Sequence, residues 1–197
     1  MTTEEEVWKS VDPNDCWVLD KLILSMKLGY SCGPVGVDVP KPDWYVVRPV
    51  INALGLGLGT KKVWIEKSTD TLPVGHFWCE WFEGRHISVD YVNCEQVLAV
   101  EGFKENKTFT KWDRWEVVDW KEDLPEFLTE LGNKYGILNV EFIGDKIIEV
   151  HFRNNPDFTF DNSVFIPVWE GQSIEPPSGF KFVQCPDVHG RIGAFIS

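Results

Sequence analysis

Between Leu138 and Asp157 the chain reads LNVEFIGDKIIEVHFRNNPD, two short apolar runs with a polar residue at every second position. That alternation is the period of a half-buried strand, and Gly144-Asp145 between the runs makes the pair a β-hairpin. Asn139 and Glu141 lie on the first strand, Glu149, His151 and Arg153 on the second. Side chains of a strand alternate faces, so the last three share one face while Ile148, Val150 and Phe152 pack behind them. Two carboxylates, an imidazole and a guanidinium on a rigid sheet suit a metal ion and phosphate. Register decides whether they meet. A two-residue turn at Gly144-Asp145 pairs Glu141 with Ile148 and points it away from Glu149; a three-residue loop, or a bulge, sets the two carboxylates opposite each other. The alternative is a half-exposed hairpin with a solvated charged face.

The other segments narrow the class. A chain of 197 residues makes one large domain or two small lobes. Its net charge of -12 argues against a nucleic-acid partner, whose affinity for a protein comes mainly from Lys and Arg, but leaves room for a nucleotide held by local positive charge. The five cysteines are scattered without a CxxC pair, which fits reduced thiols in the cytoplasm. No apolar run reaches the ~18 residues that crossing a bilayer takes, so no membrane association is expected. The acidic start MTTEEEVWKS lacks the basic flank of a secretory signal.

Taken in order, residues 1–14 read as a solvated acidic lead-in. Asp15 would cap a helix running to Leu28, with Gly29 as its stop. SCGPVGVDVPKPD is a loop, WYVVRPV (44–50) a strand, and INALGLGLGTKK a glycine-alternating loop able to bring backbone N–H groups to phosphate; a hairpin tip kinked by glycines is the alternative. KVWIE (62–66) returns as a strand. STDTLPVG is the best boundary between a small lobe, 15–75, and a larger one, 76–197. Strands are expected at 76–84, 85–92 and 95–103, with Asn93-Cys94 turning tightly between the last two. A polar loop, KENKTFTKWDR, follows. The helix of 123–136 carries the stripe Leu124, Phe127, Leu128, Leu131 and Tyr135, and ends at Gly136. Short β runs then lead to HGRIGAFIS, where Arg191 is read as a surface residue, with leaning over the site as the alternative.

In this order the segments resemble the ATP-grasp superfamily. The resemblance rests on Asp20-Lys21 opening DKLILSMKLGY, on YVVRPVINALGLGLG, on the hinge-like CEWFEGRHISVDYV, and on NVEFIGDKIIEVHFR. It covers residues 20–153, and its strength lies in the order of four pieces that are individually weak. It implies an α+β fold of two lobes with antiparallel sheets and a nucleotide cleft between them. Lys21 and Arg48 would contact ATP phosphates, and the backbone of Gly55, Gly57 and Gly59 would close over them. Glu80, Trp81 and Phe82 would hold the adenine edge, with His86 falling where the sugar is gripped. Glu141 and Glu149 would bind Mg²⁺, Arg153 would face the transferred phosphoryl group, and Arg48 would share in that chemistry. Three positions depart from the family pattern: Arg48 replaces a lysine, His86 an acid, and His151 an asparagine. His151, as a softer ligand, would admit Mn²⁺.

The activity implied is ATP-dependent joining of a carboxylate to an amine or thiol through an acyl phosphate. A catalytically degenerate nucleotide-binding, regulatory or protein-interaction module is the alternative, and a phosphotransferase on the same scaffold a further one. Only 20 residues precede Lys21, where the family carries another α/β domain, so a partner protein would supply acceptor binding.

Overall fold

A computed structural model describes residues 4–51, 57–105, 111–159, 161–185, 188 and 190–197. It is α+β and built on two antiparallel sheets. Strands β1 (Cys32–Pro34), β2 (Asp43–Pro49), β3 (Lys61–Ile65) and β4 (His76–Glu80) form the smaller sheet, in the order β1-β4-β2-β3. The larger sheet contains β5 (His86–Val92), β6 (Glu95–Phe103), β7 (Arg114–Val117), β8 (Ile137–Ile143), β9 (Lys146–His151), β10 (Val164–Trp169), β11 (Lys181–Val183) and β12 (Arg191–Ile196). Its order is β11-β12-β10-β7-β6-β5-β8-β9.

Alternation in β5 and β8, and in β9 apart from one irregularity, sorts the large sheet into two faces. Ile87, Val89, Leu138, Val140, Phe142, Ile147 and Val150 point to the core, all buried. The amphipathic stripe predicted for α3 (Glu126–Tyr135) covers them, with Leu128 and Leu131 buried and Phe127 and Tyr135 packed at the edge. Gly136 ends that helix at φ +77°, a conformation glycine adopts without strain. The opposite face carries the polar residues of the same strands and forms the floor of the cleft.

Several expectations are corrected. The helix expected from Asp15 to Leu28 is two pieces, a 3₁₀ turn Cys16–Leu19 and α2 (Lys21–Lys27). Asp20 separates them because it is extended and its carboxylate accepts from Ile23 N–H at 2.9 Å, capping a new helix at Lys21. The acidic lead-in holds α1 (Glu4–Ser10), fastened by buried Val7 and by Val11 just beyond it. Lys134 and Tyr135 of α3 reach back to Asp15, each at 2.7 Å. The segments 31–43 and 104–114, expected as loops, hold β1 and the first residues of β2 and β7. The segment 76–80, expected in the larger lobe, lies in the smaller sheet. Strand β4 pairs with both β1 and β2, so the small lobe extends through Glu80 and the crossing falls at Trp81–Arg85.

That crossing is fixed by a backbone contact. Gly84 (φ +136°) lies against Gly144 of the β8–β9 turn, so close that a Cβ on Gly84 would stand 2.7 Å from Gly144 Cα. Gly144 N–H donates to Arg85 O at 2.9 Å across the same contact. Among the described residues no helix is long and apolar enough to cross a membrane, and no disulfide joins any of the cysteines.

Candidate nucleotide and metal site

The hairpin solves its register problem with a bulge. The turn is the two-residue kind, pairing Ile143 with Lys146 and Phe142 with Ile147, but the next pair is Glu141 with Glu149. Ile148 is the extra residue. It therefore turns to the cleft beside Glu149, while Ile147 takes the core position expected of Ile148. Beyond the bulge, Asn139 sits opposite His151, and the polar set of both strands shares the cleft face.

Glu141, Glu149 and His151 present ligand atoms within 4.8 Å of one another. His151 Nε2 is 3.3 Å from Glu149 Oε1 and 4.0 Å from Glu141 Oε1. Lys21, the first residue of α2, extends Nζ to Glu149 Oε2 at 2.8 Å, and both groups are buried. Burial by itself would raise the pKa of Glu149; the charge of Lys21, then that of His151, outweighs it and keeps the carboxylate ionised. Glu141 is likewise held low against its burial, by the hydrogen bond from His86 and by the charges of His86, His151 and Lys21.

Arg48 comes from β2 of the small sheet and is buried. Its Nη2 donates to Ile148 O at 3.0 Å, the carbonyl of the bulge residue. The irregularity that sets the two carboxylates opposite each other thus presents an acceptor that the other lobe captures. Arg48 lines the cavity, and its buried Nε has no hydrogen-bond partner among the described residues. An orphaned buried cationic donor is what a bound anion would satisfy.

Further expected residues fall around this centre. Trp81 and Phe82 line the cleft. Glu80 does not; its carboxylate accepts from Ser31 N–H at 2.8 Å and its own N–H donates to Ser31 O at 2.8 Å, so it ties β4 to β1. His86, expected near the sugar, spends Nε2 on Glu141 Oε2 at 3.1 Å. Gly57 lines the cleft, and Gly59 is at φ +84°; Gly55 lies outside the described residues. Arg153 lines the cleft just past the end of β9.

Sequence reasoning missed a second layer. Ser88 and Asp90 follow His86 at strand spacing, and buried Asn139 donates to both at 2.8 Å. Asp90 also accepts from Asn155 N–H at 2.9 and 3.0 Å, which pins the chain after β9 beneath His151. Burial raises the pKa of Asp90 in spite of these donors. The signal was present: polar residues at 86, 88 and 90 of an otherwise apolar strand carry the same period that identified the hairpin. Arg191 is not on the surface but buried; it lines the cleft, as the alternative had it, and pairs with Asp157 at 2.9 Å.

Two carboxylates and an imidazole fit a divalent cation, the carboxylates suiting Mg²⁺ and the nitrogen donor widening the set to softer ions. Lys21 and Arg48 beside them fit phosphate oxygens. The enclosing cavity measures about 850 Å³, ample for a nucleotide together with a small acceptor.

No protein-family model matches the chain, and no curated protein sequence does. Solved structures do. A protein from Archaeoglobus fulgidus assigned to the ATP-grasp superfamily aligns over 92% of this chain and 64% of its own, with TM-score 0.53 and 13% identity. N5-carboxyaminoimidazole synthase from Aspergillus clavatus, in complex with ADP and 5-aminoimidazole ribonucleotide, aligns over 91% of this chain and 67% of its own, with TM-score 0.50 and 10% identity. The present chain therefore spans under two thirds of the first of these proteins.

Proposed function

From the ATP-grasp fold of the chain, we propose that its cleft binds ATP with a divalent cation and activates a carboxylate as an acyl phosphate for attack by an amine or thiol. The observation that carries this reading is the convergence, across two sheets, of Glu141, Glu149 and His151 with Lys21 and Arg48. Phosphoryl transfer asks a protein mainly for positioning and charge neutralisation, and these five residues offer both.

The roles follow from placement. Glu141 and Glu149 would hold Mg²⁺ or Mn²⁺ with His151 as a third donor, and the metal would neutralise phosphate charge. Lys21 and Arg48 would take phosphate oxygens, Arg48 by its free Nε while Nη2 keeps the bulge in place. Main-chain groups near Trp81 and Phe82 would meet the base. His86 would orient Glu141 and not the sugar. Arg153 would approach the transferred phosphoryl group. No covalent enzyme nucleophile is needed.

A thermal-shift series tests nucleotide binding, because a ligand bound only by the folded state raises its stability. Millimolar MgATP should raise the melting temperature, and the absence of any shift would remove the reading. ADP release that requires both a carboxylate and a nucleophile marks a ligase. Binding without such release would favour a nucleotide-binding module. Glu149→Gln should keep the fold and abolish release; turnover at the wild-type rate in that variant would exclude Glu149 as a metal ligand.

A further inference from the structure

The cleft is longer than a nucleotide and its metal require. The proposed phosphate and metal groups sit on α2, β2, β8 and β9, with the base placed at the crossing segment. The cavity nonetheless continues sideways across the large sheet, over β5 and β6 to β7 and β10. Its wall there is indole. Trp115 stands on β7, Trp169 on β10, and Trp112 just ahead of β7. The rings of Trp112 and Trp115 are 4.6 Å apart, and His86 lies edge-on against both, at 4.5 and 5.6 Å. Since His86 also holds Glu141, this wall begins where the acidic pair ends.

The wall is built in. Gly102 of β6 has no side chain because Trp112 covers it: a Cβ would stand 2.6 Å from the indole. Cations accompany the indoles, and Lys111 Nζ lies 4.7 Å over the Trp169 ring. Lys104 Nζ lies 4.0 Å over the Trp112 ring, its side chain lines the cavity, and burial lowers its pKa to about 8. It lies close enough to Glu141 to feel that carboxylate's charge. An ammonium group placed between a flat apolar wall and the metal carboxylates is positioned for an anion whose body is aromatic.

We propose that this extension binds the acid to be activated, an aromatic carboxylic acid whose ring lies against Trp112, Trp115 and Trp169 and whose carboxylate faces Lys104. The inference rests on the ligase reading for the fate of that carboxylate, whereas binding itself can be measured without nucleotide. A small hydrophilic acid such as glycine would leave the indoles uncovered.

The test is a titration of the nucleotide-free protein with 3-phenylpropionate, followed by melting temperature and tryptophan fluorescence. Propionate, which lacks the ring, and 3-phenyl-1-propanol, which lacks the carboxylate, are the controls. The phenyl acid should bind at least ten-fold more tightly than either control. Lys104→Met should remove its advantage over the alcohol, and Trp112→Ala its advantage over propionate. Equal affinity for all three compounds, or wild-type affinity in both variants, would overturn the assignment. MgATP is titrated in parallel. A shift with MgATP and none with the phenyl acid sinks this inference alone, whereas the reverse pattern sustains the aromatic-acid pocket and removes the ligase reading.

Discussion

Replacing Arg48 by lysine separates the two roles its guanidinium fills. Lysine keeps a positive charge in the same buried place, so the burial cost of a cation and the attraction to Glu149 largely persist. What changes is geometry. A guanidinium offers several donors in a fixed fork, and Arg48 uses Nη2 on Ile148 O while its buried Nε has no hydrogen-bond partner among the described residues. A single ammonium on a shorter stem cannot serve the bulge carbonyl and an anion together. Leaving that acceptor without its charged donor should cost about 2 kcal/mol, within the range for a hydrogen bond to a charged group. For a chain of this length that is a fall in melting temperature of roughly 4–8 °C. Urea denaturation at neutral pH, with and without MgATP, is the assay. The slope against urea should be unchanged, with the midpoint moved down. The gain in stability from saturating MgATP should also shrink, because lysine lacks the fixed second donor that Nε offers an anion. A variant within 0.5 kcal/mol of wild type, with the full MgATP gain, would refute the double role of Arg48.

Gly84→Ala forces a Cβ into the Gly144 backbone at a φ of +136°, and strain of about 1–3 kcal/mol plus the clash should make it the most damaging alanine substitution at the crossing, measured by urea unfolding. Gly144→Ala meets only Glu83 O at 3.0 Å and adopts φ +60°, so it should cost less. The hydrogen bond from Lys134, then that from Tyr135, holds Asp15 below the ordinary carboxylate range. The sign is fixed: this stabilisation is present above the unfolded value of 3.8 and is lost as pH falls through the lower folded value. Lys134→Met should therefore flatten the acid side of the stability profile and leave neutral-pH cleft binding unchanged, as thermal melts between pH 2 and 7 would show. His151→Asn removes the nitrogen donor, and the ratio of Mn²⁺ to Mg²⁺ affinity in the presence of ATP should fall several-fold.

The features most legible in the sequence were those with a strong period. Strand β6 spans residues 95–103 as expected, and α3 buries the stripe its spacing prescribed. Asn93 and Cys94 turn as expected, at φ +49° and +65°, the left-handed pair of a tight hairpin. The α2 start was legible only through the Asp20-Lys21 resemblance, since helical spacing alone ran across Asp20 without a break. The bulge at Ile148 was legible as a requirement and not as a fact: two registers satisfied the hairpin, and burial of Ile147 and Val150 with exposure of Glu149 to the cleft chose between them. Strand β4 was misplaced because alternation says nothing about which sheet a strand joins. Asp157 and Arg191 stand 34 residues apart and meet only through folding, so no local pattern announced that pair.

The oxygen that Arg48 grasps belongs to the main chain. Every residue type at position 148 supplies the same oxygen, so point changes there alter the cleft's lining and spare the latch. Removing the residue altogether would restore a regular ladder with Glu141 still facing Glu149, and only the latch would vanish. Missense drift and single-codon deletion at one position therefore have separable consequences, the first on what the cleft accommodates and the second on how firmly its two halves are joined.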